Sequence, residues 1–139
     1  MNGQNTKRVF VGIDPGLSGG IAVIDEHLNV LNLEDTPTIK ASGKTIYDVA
    51  GMAAVLRRLS LIFGLWCGIL GALELSFRTA SPSAWTREVL KGCPGEGKAR
   101  SIGFVTRMFP GAELVPSGCR RPRDGRTDAL CLAYWGLKS

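Results

Sequence analysis

The sequence predicts an α/β fold, a sheet of mixed strand directions flanked by helices. Three observations carry this. Two short β-branched, apolar runs near the start, Arg8 to Asp14 (RVFVGID) and Ile21 to Asp25 (IAVID), are joined by a tight Gly-rich turn, so the sheet begins as an antiparallel hairpin. After residue 48, helical patterns alternate with strand-like segments. With 139 residues, 45% of them hydrophobic, the chain is long enough for one core and one domain.

Residues 1–7 are polar and are expected to be disordered ahead of the first strand. Pro15-Gly16-Leu17-Ser18-Gly19-Gly20 is the turn between the first two strands. Glu26 to Asn29 makes a second turn, and Val30 to Leu33 is a third strand. The polar stretch 34–47 reads as a loop. Asp48 caps a helix running to about Leu59. The apolar run Leu61 to Leu73 follows as a second helix, its Gly64, Gly68 and Gly71 letting another backbone approach, either inside the monomer or across a two-fold interface. Leu75 to Ala80 reads as a strand. Ser81 and Pro82 then supply the N-cap and first position of a helix reaching Lys91. A loop spans 92–97, a helix runs from Lys98 to Phe109 and stops at Pro110-Gly111, and 112–116 is a short strand. The loop 117–126 precedes a last helix, Thr127 to about Leu137. Trp66, Trp85 and Trp135 are assigned to the core.

The net charge of +5 favours a polyanionic partner only weakly, but its placement is informative: the stretch 120–126 carries four arginines. Cys67, Cys93, Cys119 and Cys131 have no metal-type spacing, and no secretory signal is recognisable, so reduced thiols in a cytoplasmic protein are expected. The run 61–73 is too short to span a bilayer, and no membrane association is expected.

Asp14 ends a buried strand, at the sheet edge where α/β folds place their sites, and its carboxylate suits a hard cation such as Mg²⁺. The plainer reading of Asp-Pro-Gly is a turn-capping aspartate. Asp124 and Asp128 are four apart, which puts both on one helix face if the helix includes Asp124; otherwise they are acids favoured by the helix dipole. Arg120, Arg121, Arg123 and Arg126, with Lys98 and Arg100 as a second patch, would hold DNA phosphates, or are simply solvated.

The stretch VGIDPGLSGGIAVID resembles RuvC-type Holliday junction resolvases, especially their phage and prophage branch. SPSAW (81–85), GKARSIGFVTRMFPGAEL (97–114) and DGRTDALCLAYWG (124–136) are similar to later segments of that branch, in the same order. The resemblance implies a ribonuclease H-like fold, a homodimer acting on branched double-stranded DNA, and a role in DNA recombination and repair. It implies phosphodiester hydrolysis with two Mg²⁺ or Mn²⁺ ions held by four acidic residues. Asp14 matches the first-strand aspartate and Asp128 the last acid. Asp124 is the candidate for the third, although a three-residue spacing in some members points to Gly125. The second acid is a glutamate on a central strand. One alignment deletes that strand and makes 61–73 the family's Gly-rich helix; the other makes Glu74 the glutamate.

Two functions follow from this resemblance: a structure-selective endonuclease resolving four-way junctions, or a degenerate relative that binds junctions and cleaves weakly or not at all. A YqgF-like nuclease shares the opening strand but fits the ending DALCLAYWG less well. An actin-like or sugar-kinase-like ATPase shares the D-x-G-x-x-x-G hairpin but needs two such domains and a longer chain.

Overall fold

The computed structural model describes residues 8–58 and 78–139. They form β1 (Val9–Asp14), β2 (Gly20–Asp25), β3 (Val30–Asp35), β4 (Thr38–Ala41), β5 (Lys44–Tyr47), α1 (Val49–Arg58), α2 (Pro82–Val89), α3 (Gly97–Met108) and α4 (Asp124–Lys138). This is a mixed α/β arrangement. The expected helix 61–73, its glycines and any two-fold interface they make, Trp66, Cys67, Glu74 and residues 75–77 of the expected strand lie outside the described residues.

β1 pairs antiparallel with β2, from Val9 opposite Asp25 to Asp14 opposite Gly20, and β2 pairs antiparallel with β3. β2 is therefore central, and all six of its residues are buried. A continuous apolar run such as GIAVI suits a strand covered on both faces. The mixed strand directions expected from the sequence are not found: among the described residues every strand pair is antiparallel.

The segment 34–47 is not a loop. β3 extends to Asp35, and β4 and β5 form a separate hairpin with Thr38 opposite Tyr47 and Ala41 opposite Lys44. Its two-residue turn places Ser42 at φ 48° and Gly43 at φ 76°, the left-handed pair that a tight hairpin needs and glycine tolerates. Tyr47 Oη donates to the carbonyl of Pro15 at 3.0 Å, tying this hairpin to the β1–β2 turn.

The expected helix caps are present. The Gly51 amide donates to Asp48 Oδ1 at 2.9 Å, and the Ala84 amide donates to Ser81 Oγ at 3.3 Å with Pro82 in the first turn. Residues 78–80 form no strand, nor do 112–116. In the latter segment Leu114 is a buried anchor whose carbonyl accepts the Arg123 amide at 2.8 Å, so its backbone polarity is satisfied by a loop.

α4 is the axis of the core. Ala129, Leu130, Cys131 and Ala133 are fully buried, the helix packs on β1 and β2, and it also contacts α2 and α3. Trp85 and Val89 of α2 and Phe104 and Val105 of α3 join Ala22 and Ile24 of β2 in the same apolar cluster. A helix covered on several sides loses the polar face that marks a surface helix, as the run ALCLAYW shows. Trp85 and Trp135 are buried, and the Trp135 indole donates to Glu88 Oε2 at 2.7 Å.

Glycines set the separation between α4 and the sheet. A methyl group on Gly12 would collide with the backbone of Ala129 and Ala133, and one on Gly125 with the backbone of Ser18 and Gly19. A methyl group on Gly20 would lie 2.6 Å from the Gly125 carbonyl oxygen. The obstacles are backbone atoms, which cannot rotate away. Gly125→Ala is therefore expected to destabilise the fold by about 2–3 kcal/mol or more. Gly103→Ala, in open space within α3, should stabilise by roughly 0.5–1 kcal/mol. Urea denaturation of both variants measures the contrast, and equal midpoints would refute the packing argument.

Candidate functional site

β1 delivers Asp14 to the start of the β1–β2 turn, where the side chain is half-buried. Its Oδ1 accepts the Gly16 amide at 3.3 Å, so the turn-capping role exists, through one oxygen and at long range. The turn is fixed from several sides. The Gly19 amide donates to the Gly16 carbonyl at 2.8 Å, the Thr36 amide donates to the Gly19 carbonyl at 3.0 Å, and Tyr47 holds Pro15. Thr36 and Tyr47 do not stand out in the sequence because they lie in the segment that reads as a loop.

α4 begins at Asp124, one turn earlier than the sequence suggests. Arg123 is its N-cap residue, and its carbonyl accepts the Thr127 amide at 3.2 Å and the Thr127 hydroxyl at 3.3 Å. Asp124 thus occupies the first turn, and Asp128 follows one turn later on the same face. The close contact of Gly125 with Ser18 and Gly19 brings this end of the helix to the end of β1. It also excludes any side chain at 125, so a three-residue spacing of the last two acids is incompatible with this packing.

Asp14, Asp124 and Asp128 are consequently near enough to act on one another. The Asp128 carboxyl is pushed up from 3.8 to about 6, first by burial and then by the negative charges of Asp14 and Asp124, while Lys98 opposes the shift. Lys98, in the first turn of α3, forms an ion pair with Asp124. That hydrogen bond, with smaller contributions from the charges of Asp128 and Asp14, holds the Lys98 ammonium above its ordinary range. Sites arranged for acid–base or metal chemistry use such half-buried acids beside like charges, and so do structural charge networks.

The donor chemistry fits a hard divalent cation, which takes carboxylate oxygens and water. The Lys98 ammonium stands at the Asp124 carboxylate as a positive charge. In their present positions, no three acidic, histidine or cysteine side chains among the described residues form a group that could hold an ion.

The basic residues divide. Ser18, Cys119, Arg120, Arg121, Pro122, Arg123 and Asp124 line an open cleft of about 470 Å³, so of the three acids Asp124 borders it. Arg120 and Arg121 are exposed there, and Arg123 lies 3.8 Å from Asp35 Oδ2 with its side chain half exposed. Ser18 joins this cleft because the Gly-rich turn faces the basic loop, a relation no local sequence pattern discloses. Arg126 does not take the DNA-facing place expected of it. It is 8% exposed, and its guanidinium donates to Asp35 Oδ1 at 2.7 Å and the Glu113 carbonyl at 2.8 Å. Arg100 is likewise committed, donating to the Cys93 carbonyl at 3.0 Å and to the Leu90 carbonyl at the end of α2. Cys93, Cys119 and Cys131 are free thiols, and burial pushes Cys131 up to about 12. No helix among the described residues is long and apolar enough to cross a membrane.

The chain matches no protein-family model and no curated protein.

Asp128 binds its proton more tightly in the folded state than in the unfolded chain, where its pKa is near 3.8. Its contribution to stability is fully present below about pH 4 and is lost as pH rises through about 6. Above that the ionised carboxylate costs on the order of 2 kcal/mol, discounted for its partial exposure. Asp128→Asn should therefore melt about 5 °C above the wild type at pH 8. At pH 4 the two should melt together. Coincident melting curves at both pH values would show that the acid is unstrained.

Proposed function

We propose that this chain is a ribonuclease H-like, metal-dependent endonuclease of the RuvC type, acting on four-way and other branched DNA. The observation that carries the reading is the convergence of Asp14, Asp124 and Asp128 at the end of β1, beside a cleft lined by arginines. The fold-level part is supported by the antiparallel meander β1-β2-β3 with the acid-bearing helix α4 packed across β1 and β2. The sequence resemblance places acids on the same two elements.

In this reading Asp14, Asp124 and Asp128 would hold a divalent cation. Bound Mg²⁺ or Mn²⁺ would supply activation of the attacking water and stabilisation of the leaving oxygen. The chain's own part is positional. The glycine contacts fix the carboxylates relative to one another, and the cleft lined by Arg120, Arg121 and Arg123 receives the phosphodiester backbone. A second reading, a junction-binding relative with little or no cleavage, is favoured by one observation: the described acids do not form a closed ligand group. A homodimer, offering two sites to the symmetric strands of a junction, suits either reading.

A synthetic four-way junction and a linear duplex of the same sequence, incubated with Mg²⁺ or Mn²⁺, test the proposal. The expected result is slow nicking of the junction alone, abolished by Asp14→Asn without loss of folding. Tight junction binding with no nicking in either metal would select the binding-only reading. Failure to prefer the junction would remove both.

Neutralising Arg120, Arg121 and Arg123 together should weaken junction binding and lower the slope of log affinity against log salt by up to about 3, nearly one for each phosphate no longer neutralised. Neutralising Arg100, whose guanidinium is spent on α2, should leave that slope unchanged. Fluorescence anisotropy over a salt series gives both slopes, and an unchanged triple-mutant slope would mean these arginines are only solvated.

A further inference from the structure

A two-stranded hairpin alone is marginally stable in water, so such a ribbon normally lays one face on a core or a third strand. In the β4–β5 hairpin, Ile39 stands opposite Ile46, and the two are exposed at 47% and 43%. Side chains alternate along a strand, so Ile39, Ala41, Lys44 and Ile46 share one face, and Lys40, Thr45 and Tyr47 the other. The base of the hairpin is held to the body. The Asp48 amide donates to the Pro37 carbonyl at 3.0 Å, and Tyr47 Oη donates to that of Pro15 at 3.0 Å.

We propose that this hairpin is a β-ribbon arm that docks in the major groove of duplex DNA, with Ile39 and Ile46 toward the bases and Lys40 and Lys44 on phosphates at the rim. The inference rests on reading the chain as a DNA-binding protein and adds a second contact element to that reading. Charge selects the occupant. Residues 38–47 contain two lysines and no acid. Among the described residues neither ammonium is paired with a carboxylate, and Lys40 Nζ donates only to Thr45 Oγ1, at 2.6 Å. The flanking acids are committed, Asp35 to Arg126 and Asp48 to the Gly51 amide. A polyanion therefore meets this ribbon without an opposing charge. Lysines on a short exposed ribbon also oppose strand pairing with a second copy of the chain. Shape agrees: strands of four residues extend about 13 Å, and a major groove about 12 Å wide admits a two-stranded ribbon. So does position, because the turn 15–20 holds the hairpin at Pro15 and borders the arginine cleft at Ser18.

Fluorescence anisotropy over a salt series, with the linear duplex and the four-way junction as probes, tests the arm. Lys40→Gln combined with Lys44→Gln is expected to weaken binding to both DNAs on the order of tenfold and to lower the salt slope by up to about 2. Ile39→Thr combined with Ile46→Thr, which keeps the β-branches, should weaken binding to both at least about fivefold with the slope unchanged. Both variants should melt close to the wild type. An unchanged slope in the lysine variant, or unchanged affinity in the isoleucine variant, overturns the arm. A large fall in melting temperature of the isoleucine variant also overturns it, because the pair then packs within the chain. If that variant dissociates a dimer on sedimentation while keeping its DNA affinity, the face belongs to a second copy and the arm is again overturned. Affinity lost for the junction alone overturns groove docking in favour of a contact at the branch point. Equal binding of both DNAs by the wild type, with the lysine effect present, removes the junction-selective reading and leaves the arm standing. No binding of either DNA by the wild type overturns both.

Discussion

The close approach of α4 to the β1–β2 hairpin is the constraint on which the rest depends. Gly12 lets the helix backbone at Ala129 and Ala133 settle onto β1, and Gly20 and Gly125 let the helix start cross the turn. Without side chains at these points, the helix lies closer to the sheet than ordinary packing allows. Two consequences follow from that one contact. α4 becomes the centre of the core, buried against β1 and β2 and touched by α2 and α3. Its first turn also arrives at the end of β1, bringing Asp124 and Asp128 to Asp14. Core and candidate site are thus two ends of the same interface, and a change that pushes α4 outward would disturb both.

The interface holds charges that work in opposite directions. Arg126, one residue after Gly125, is buried and pinned to Asp35 at the end of β3 and to the Glu113 carbonyl. Only the arginine of this pair is buried, and its hydrogen bonds fix the geometry of the helix start more than they add net stability, since desolvating the guanidinium offsets much of the attraction. Asp128, two residues later, is half-buried and pushed up to about 6, a charge the fold tolerates at a cost. The satisfied arginine holds the helix start in place while the strained acid sits at the site. This division also explains why the basic stretch is not one uniform surface. Arg126 is spent on the fold, Arg123 caps α4 with its backbone, and Arg120 and Arg121 stay free at the cleft.

Legibility in the sequence followed the range of the interactions involved. The β1–β2 hairpin, the Asp48 cap and the Ser81-Pro82 start are local, depending on a few adjacent residues, and all were readable. The β4–β5 hairpin was local too, but its pattern is weak: Ile39 and Ile46 are both exposed, so the strands show no buried face and read as a polar loop. Its one signal was the Ser42-Gly43 turn. The segment 112–116 misled in the opposite direction, because apolar Leu114 anchors a loop. The acids Asp14, Asp124 and Asp128 stood out by chain position, but their proximity depends on Gly12, Gly20 and Gly125. A glycine chosen for close approach looks, in sequence, like any other glycine. Arg126 could not be separated from its neighbours, because its partners Asp35 and Glu113 lie far away in the chain.

On the proposed reading, charge balance limits what this site holds before DNA arrives. Three carboxylates more than neutralise one divalent cation. They do not neutralise two such ions. A second ion at this short separation would need another negative group within reach, either a fourth acid or a phosphate of the substrate. Glu74, the candidate for that acid, lies outside the described residues. On the same reading, Arg120, Arg121 and Arg123, which line a cleft with Asp124, would draw a backbone phosphate to the edge of the acidic group. The arginine cleft and the acids therefore depend on each other in this reading. A substrate phosphate held by these arginines would supply the negative charge that three carboxylates lack for a second ion.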